Sequence, residues 1–242
     1  MGDPSNTWMG FPVYDTSNWP PNPDAILEGG VVLVDKHLGA TSFTMVRRLR
    51  RFLGIKKVGH AGTLDPAAEG LLIICFGKAT KTIERIQELP KTYVAGILLG
   101  RETPSYDRET PISEELPYDH VTPEMVQRVI EQQFSGEISQ VPPVYSALKV
   151  DGQPLYKKAR KGESVEVKPR NVSIYGWTPI KIDIPLLMYE VRCGKGTYIR
   201  SLAHDIGRSL DTCGTLASLR RTQTGHFDVE RALIVSDFEV SR

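Results

Sequence analysis

The 242-residue sequence predicts an α+β fold, a mixed and mostly antiparallel central sheet flanked by helices. Three observations lead there. Strand-like apolar runs and helix-period amphipathic stretches both occur, but not in the regular strand–helix–strand alternation of a parallel sheet. No segment recurs at a fixed period, so solenoids and propellers are excluded. With 40% hydrophobic and 24% charged residues the chain has the composition of an ordinary globular protein, long enough for a substantial core.

Taken in order, residues 1–28 carry Trp8, Trp19 and a Pro-rich run without sustained periodicity, and read as an N-terminal extended arm or tail. Residues 29–242 read as one large domain. Gly30–Asp35 is a short buried strand, and the loop after it ends in the helix-capping residues Thr41 and Ser42. From Ser42 the period becomes helical, with Phe43, Val46, Leu49, Phe52 and Leu53 on one side and Arg47, Arg48 and Arg51 opposite. Leu71–Phe76 is a buried strand, Thr80–Leu89 an amphipathic helix and Lys91–Gly100 a strand. Thr122-Pro123 opens a helix whose apolar face is Met125, Val126, Val129, Ile130 and Phe134. Pro142–Lys149 is extended and Pro154–Gly162 a short basic helix. Strands follow near 164–168, 171–182 and 186–193, then a helix over Tyr198–Leu210 and a final strand over Gly225–Glu230.

The longest apolar runs are far too short to span a bilayer, and the N-terminus lacks the pattern of a secretory signal. Cys75, Cys193 and Cys213 are odd in number and form no Cys-x-x-Cys pair, which argues against a disulfide framework or a zinc site. A cytoplasmic location is expected. No phosphate-binding P-loop or dinucleotide fingerprint is present. The formal charge of +1 conceals an asymmetry: residues 31–101 hold twelve basic and five acidic side chains. Such a segment is either a solvated basic face or a surface for a polyanion. Lys56 and Lys57 continue the arginine face toward the next segment, which favours phosphate contact.

That segment, Lys57-Val-Gly-His-Ala-Gly-Thr-Leu-Asp-Pro-Ala-Ala-Glu-Gly70, sets the imidazole of His60 and the carboxylate of Asp65 in a glycine-punctuated loop ahead of the buried strand. Pro66 biases Asp65 away from helical geometry, so the carboxylate projects from a hinge. On spacing alone Asp65 could equally be a turn former and His60 an ordinary loop residue. Tyr93, in Lys91-Thr-Tyr-Val-Ala, could be a strand aromatic facing the core. Tyr198 and Arg200, in Cys193-Gly-Lys-Gly-Thr-Tyr-Ile-Arg-Ser201, point the same way if strand geometry persists through them. Leu219, in Leu216-Ala-Ser-Leu-Arg-Arg-Thr-Gln-Thr-Gly225, could be a plain buried leucine.

The order Gly-His-Ala-Gly-Thr-Leu-Asp-Pro resembles the catalytic loop of the TruB family of tRNA pseudouridine synthases. Asp35-Lys36-x-x-Gly-x-Thr-Ser42 resembles that family's first motif, with His37 where proline is usual. The Tyr93, Tyr198–Arg200 and Leu-Arg-Arg segments follow in the family's order, and together the resemblance spans residues 29 to 230. It implies the pseudouridine synthase fold and isomerisation of uridine-55 in the tRNA T loop. It makes Asp65 the catalytic residue, His60 the group that enters the space left by the flipped base, and Tyr93 the residue that stacks on the target base. Arg200 would pair with the catalytic Asp, Tyr198 would line the base pocket and Leu219 would form its apolar wall. Glu69 and Ala61 stand where the family commonly has Thr.

The implied reaction breaks one C–N glycosidic bond and rejoins the same sugar carbon to C5 of the base, so no cofactor or metal is expected. Asp65 could act as nucleophile at the anomeric carbon or as the base that removes the C2′ proton. The chain ends 17 residues after Gly225, where many bacterial members carry a further RNA-binding domain. The expected partner is therefore the tRNA T arm bound without a guide RNA, by a monomer that contacts no membrane. A non-catalytic tRNA-binding or folding module that retained the pocket is the alternative.

Overall fold

The computed structural model describes residues 6–146, 149–150, 153–155 and 167–238. The strands are β1 (Thr7–Trp8), β2 (Phe11–Tyr14), β3 (Gly29–Lys36), β4 (Val58–His60), β5 (Glu69–Gly77), β6 (Lys91–Leu99), β7 (Arg101–Glu102) and β8 (Glu114–Glu115). After these come β9 (Gly136–Gln140), β10 (Lys149–Val150), β11 (Gln153–Pro154), β12 (Arg170–Asp183), β13 (Leu186–Cys193), β14 (Gly214–Thr224) and β15 (Phe227–Asp228). The α-helices among the described residues are α1 (Pro23–Glu28), α2 (Ser42–Leu53), α3 (Ile83–Glu88), α4 (Pro123–Gln133) and α5 (Ile199–Ser209). All described registers are antiparallel except β2–β3 and β5–β14, so the α+β, mostly antiparallel expectation holds. No described helix is long and apolar enough to cross a membrane.

The chain forms two compact units, Met1–Tyr93 with Arg220–Arg242, and Val94–Leu219. In the first, strand order runs β1-β2-β3-β5-β14, with β4 also on β5 and β15 on β14. β3 and β5 are buried along almost their whole length, as continuous apolar runs covered on both faces should be. Their register pairs Val31 with Cys75 and Leu33 with Ile73. One face gathers Val13, Val31, Leu33, Leu71, Ile73 and Ile86 into a core, closed by Phe227 and Val229. Residues 7–28 join this unit. β2 pairs with β3 through Val13 and Val31, Trp19 lies 5.2 Å from Phe52, and the Trp19 indole donates to the Asp237 carbonyl.

Helix α2 starts where its cap predicts, with the Thr41 hydroxyl accepting from the Thr44 amide. Its buried face is Ser42, Met45, Val46, Leu49 and Leu53. Phe43, expected on that face, is 61% exposed, because it lies about 100° around the helix from Ser42 and next to the arginine side. Residues 78–82 are a 3-10 turn rather than the start of the α-helix expected from Thr80. The Thr80 and Thr82 hydroxyls bond the carbonyls of Gly77 and Ala79 three residues back, which tightens that turn.

In the second unit β6, β13, β12 and β9 are neighbours in that order, and α4 packs on α5. α4 begins at Pro123 with Thr122 capping the Met125 amide. The expected final strand at 225–230 is the two-residue β15 followed by a 3-10 turn, and the long strand there is β14. The expected basic helix at 154–162 and residues 164–166 of the strand expected beside it lie outside the described residues, apart from 154 and 155.

Candidate active site

The first unit holds His60, Asp65 and Tyr93, and its sheet explains how the first two are held. β4 is registered on β5 so that His60 lies opposite Ile74, and the Ala61 amide continues the pairing to the Ile73 carbonyl. Gly62 then turns at a φ of 111°, a conformation that costs glycine little. Ser42, the first residue of α2, holds Leu64 from both sides. Its hydroxyl accepts from the Leu64 amide at 2.9 Å and donates to the Leu64 carbonyl at 3.1 Å. The Asp65 carbonyl accepts from the Ala68 amide at 3.1 Å, and the Pro66 carbonyl accepts from Gly39 at 2.8 Å. Asp65 is half-buried between these fixed points. The backbone on both sides of Asp65 is thus fixed.

Lys36 closes the loop from beneath. It is fully buried, and its ammonium donates to the carbonyls of His37, Ala40 and Ala68. Burial pushes it down to about 8, opposed by the negative charges of Asp65 and Glu69. Burial, then the Arg221 charge, lowers His60 below the usual imidazole value, while a backbone hydrogen bond at Gly62 acts the other way. His60 is therefore a neutral ring at physiological pH, flat enough to stack. Its Nδ1 is buried without a hydrogen-bond partner among the described residues. Tyr93 is buried at the start of β6.

Arg220 and Arg221 leave β14 on opposite faces, as alternation requires. Arg220 reaches Asp35 at 2.7 Å and Glu69 at 3.7 Å. Arg221 turns inward, its Nε donating to the Leu71 carbonyl at 2.7 Å and its Nη2 to the Gly62 carbonyl at 3.3 Å. β14 can come this close to β5 because residue 70 is glycine: a Cβ there would lie 2.3 Å from the Arg221 carbonyl.

The second unit holds Tyr198, Arg200 and Leu219. Strand geometry does not persist from β13 through Tyr198. That residue caps α5, and Arg200 is in the helix's first turn. The Tyr198 amide donates to the Gln140 side chain at 2.8 Å, Gln140 donates back to the Tyr198 carbonyl at 3.0 Å, and the Arg170 guanidinium lies 4.8 Å from the Tyr198 ring centre. Arg200 is buried, donating to the carbonyls of Ser105 and Tyr145 at 3.0 and 2.9 Å, with its Nε 3.6 Å from Asp107. Asp107 is itself buried and accepts from the Ser105 hydroxyl and the Glu109 amide. Leu219 is half-buried in β14.

Asp107 beside Arg200, and Lys36 and Arg221 around the Asp65 loop, are buried charges to which the motifs assign no role. The adjacent arginines would have left a trace only had 214–224 been read as a strand, since two neighbours in one strand face opposite ways. Glu102, Glu114 and Cys213 have ligand atoms within 4.8 Å of one another. They do not suit a cation, because Arg208 already bonds both carboxylates and burial raises the Cys213 thiol.

Comparison with known proteins places this geometry. Residues 50–199 match the family model described as the TruB family pseudouridylate synthase N-terminal domain, and residues 200–241 match that of the tRNA pseudouridylate synthase B C-terminal domain. The chain is 44% identical over 226 residues to the tRNA pseudouridine synthase B of Flavobacterium johnsoniae, covering 90% of this chain and 98% of that protein. It is 47% identical over 217 residues to the protein of the same name from Phocaeicola vulgatus, covering 87% and 92%. Among solved structures it resembles a Cbf5-Nop10-Gar1 complex, with a TM-score of 0.67, 27% identity and coverage of 92% of this chain. The archaeal box H/ACA sRNP Nop10-Cbf5 complex gives a TM-score of 0.64 at 28% identity over 88% of this chain. This chain spans 59% and 53% of the matched chains in those two complexes. The chain belongs to the TruB family of pseudouridylate synthases.

Proposed function

We propose that this chain isomerises uridine to pseudouridine in tRNA, at position 55 of the T loop and without a guide RNA. The observation that carries the reading is the loop between β4 and β5. It presents Asp65 half-buried between hydrogen-bonded anchors at Leu64, Pro66 and Ala68, with His60 at its entrance. The relatives named tRNA pseudouridine synthase B, matched over nearly their full lengths, support the substrate.

In this reading the target uridine is flipped out of its stack, at a cost of about a few kcal/mol, and neutral His60 fills the space it leaves. Asp65 attacks the anomeric carbon as the C1′–N1 bond breaks and is expelled when C1′–C5 forms, or it takes the C2′ proton as C1′–N1 breaks and returns it when C1′–C5 forms. The base turns in between, and C5 then loses its proton as N1 gains one. Tyr93 stacks on the base and offers its phenol for proton transfer. The family resemblance assigns Tyr198 and Leu219 to the base pocket and Arg200 to the reacting carboxylate.

Release of tritium from C5-labelled T-arm RNA tests the reading. Asp65→Asn should abolish turnover while affinity for the RNA stays within about tenfold, roughly 1.4 kcal/mol. Multiple turnover by Asp65→Asn would remove the carboxylate from the chemistry. RNA binding without tritium release by the unmodified chain would make it a binding module instead.

A further inference from the structure

Arg221 is the largest fully buried side chain among the described residues, and it is a cation in the middle of a strand. Taking a charge out of water costs several kcal/mol unless its hydrogen bonds are met in good geometry. An apolar residue could fill the same space at no such cost. What the guanidinium does there is specific. One fork reaches two carbonyls that belong to different parts of the chain, Gly62 in the loop after β4 and Leu71 in β5. Those residues bracket the stretch that carries Asp65. Because the fork is planar and rigid, its donors fix the two carbonyls relative to each other as a lysine could not.

The packing reinforces the point. Gly70 lets the Arg221 backbone lie against β5, since a Cβ there would lie 2.3 Å from the Arg221 carbonyl. The charge also registers on its neighbours, lowering both His60 and Lys36.

We propose that Arg221 is a positioning residue for the reaction: by tying Gly62 to Leu71 it closes the Asp65 loop at its base and sets where the carboxylate is presented. The proposal rests on Asp65 being the reacting group. Arg221 itself touches no substrate.

Arg221→Lys and Arg221→Gln, made in the full chain and assayed with T-arm RNA, test it. The lysine keeps the charge but cannot bond both carbonyls, and the glutamine removes the charge. Both should bind the RNA within about threefold of the parent. Both should lose at least about thirtyfold in single-turnover rate, a loss in the chemical step rather than in binding. Exchange of the Leu64 amide, read by NMR, should quicken at least about tenfold in both as the loop opens locally. The His60 imidazole should titrate at higher pH in Arg221→Gln alone.

A parental single-turnover rate, or parental Leu64 exchange, in folded Arg221→Lys would overturn the proposal. If Arg221→Gln does not fold, the lysine variant decides through rate and exchange together. If Asp65→Asn keeps its turnover, the reading of Asp65 fails, and Leu64 exchange still reports whether the clamp exists.

Discussion

His60 and Tyr93 differ in what they could contribute to a pseudouridylation. On the proposed function, neutral His60 has no proton to move in either route open to Asp65, and its value would lie in occupying the space a flipped base leaves. His60→Ala should therefore slow reaction on tRNA but do much less harm on an RNA whose target uridine is already unstacked. Tyr93→Phe keeps the stacking face and loses only the hydroxyl, so its defect should persist on both. Single-turnover rates of the two variants on the two RNAs check this, and an equal loss for His60→Ala on both would make His60 a chemical participant. At this scale the sequence exposed the residues that stand in a motif. It did not expose Asp107, Lys36 or Arg221 as partners, because what matters about a buried charge is which carbonyls or counter-charges face it. Those come from Ser105, Ala68 and Gly62, supplied by folding.

Helix α2 has two working sides. Its buried side carries Met45, Val46 and Leu49 into the core, and its first residue, Ser42, anchors Leu64 just ahead of Asp65. Its outer side exposes Arg47 and Arg51, and the exposed Lys56 and Lys57 follow. Arg48 and Arg50 are half-buried, and Arg50 is turned to the Val58 carbonyl. If the T arm lies along this side, reversing the charges of Arg47 and Arg51 together should weaken binding. It should also lower the slope of log affinity against log salt by about 2, roughly one for each phosphate that is no longer neutralised. An unchanged slope in a filter-binding titration would move the RNA to another face. The helix was legible because a cap and an apolar period coincide at Thr41 and Ser42. Strand β14 was not read as a strand, since Gly-Thr-Leu-Ala-Ser-Leu-Arg-Arg-Thr-Gln-Thr is too polar for a buried run. Its place was decided by β5, which pairs with it in parallel, and by glycine at position 70.

For the molecule as a whole, Lys36 links stability to pH. Its folded value of about 8 lies below the ordinary 10.5, so between these pH values the unfolded chain holds a proton that the native chain has released. Stability should therefore rise with pH across that window through Lys36, by up to about 3 kcal/mol at 1.36 kcal/mol per unit. The buried Cys75 thiol, pushed up to about 12, acts in the opposite direction from about pH 9, as do the raised phenols of buried Tyr14 and Tyr189 and half-buried Tyr106 above about pH 10. Urea unfolding of the parent and of Lys36→Met between pH 8 and 10 would isolate the lysine, and identical slopes would count against it.

The sequence by itself determined the fold class, the starts of α2 and α4, the run of β5, and the motif that places the chain in its family. Caps, periods and glycine-punctuated loops act over a few neighbouring residues, so they can be read along the chain. Only the tertiary structure decided that residues 7–14 add strands to the first unit and that Arg200 lies buried beside Asp107. It alone decided that Arg221 reaches back some 150 residues to hold the Asp65 loop. Those are long-range pairings, and what selects them is the need to satisfy each buried charge and backbone group with a partner that only folding brings near.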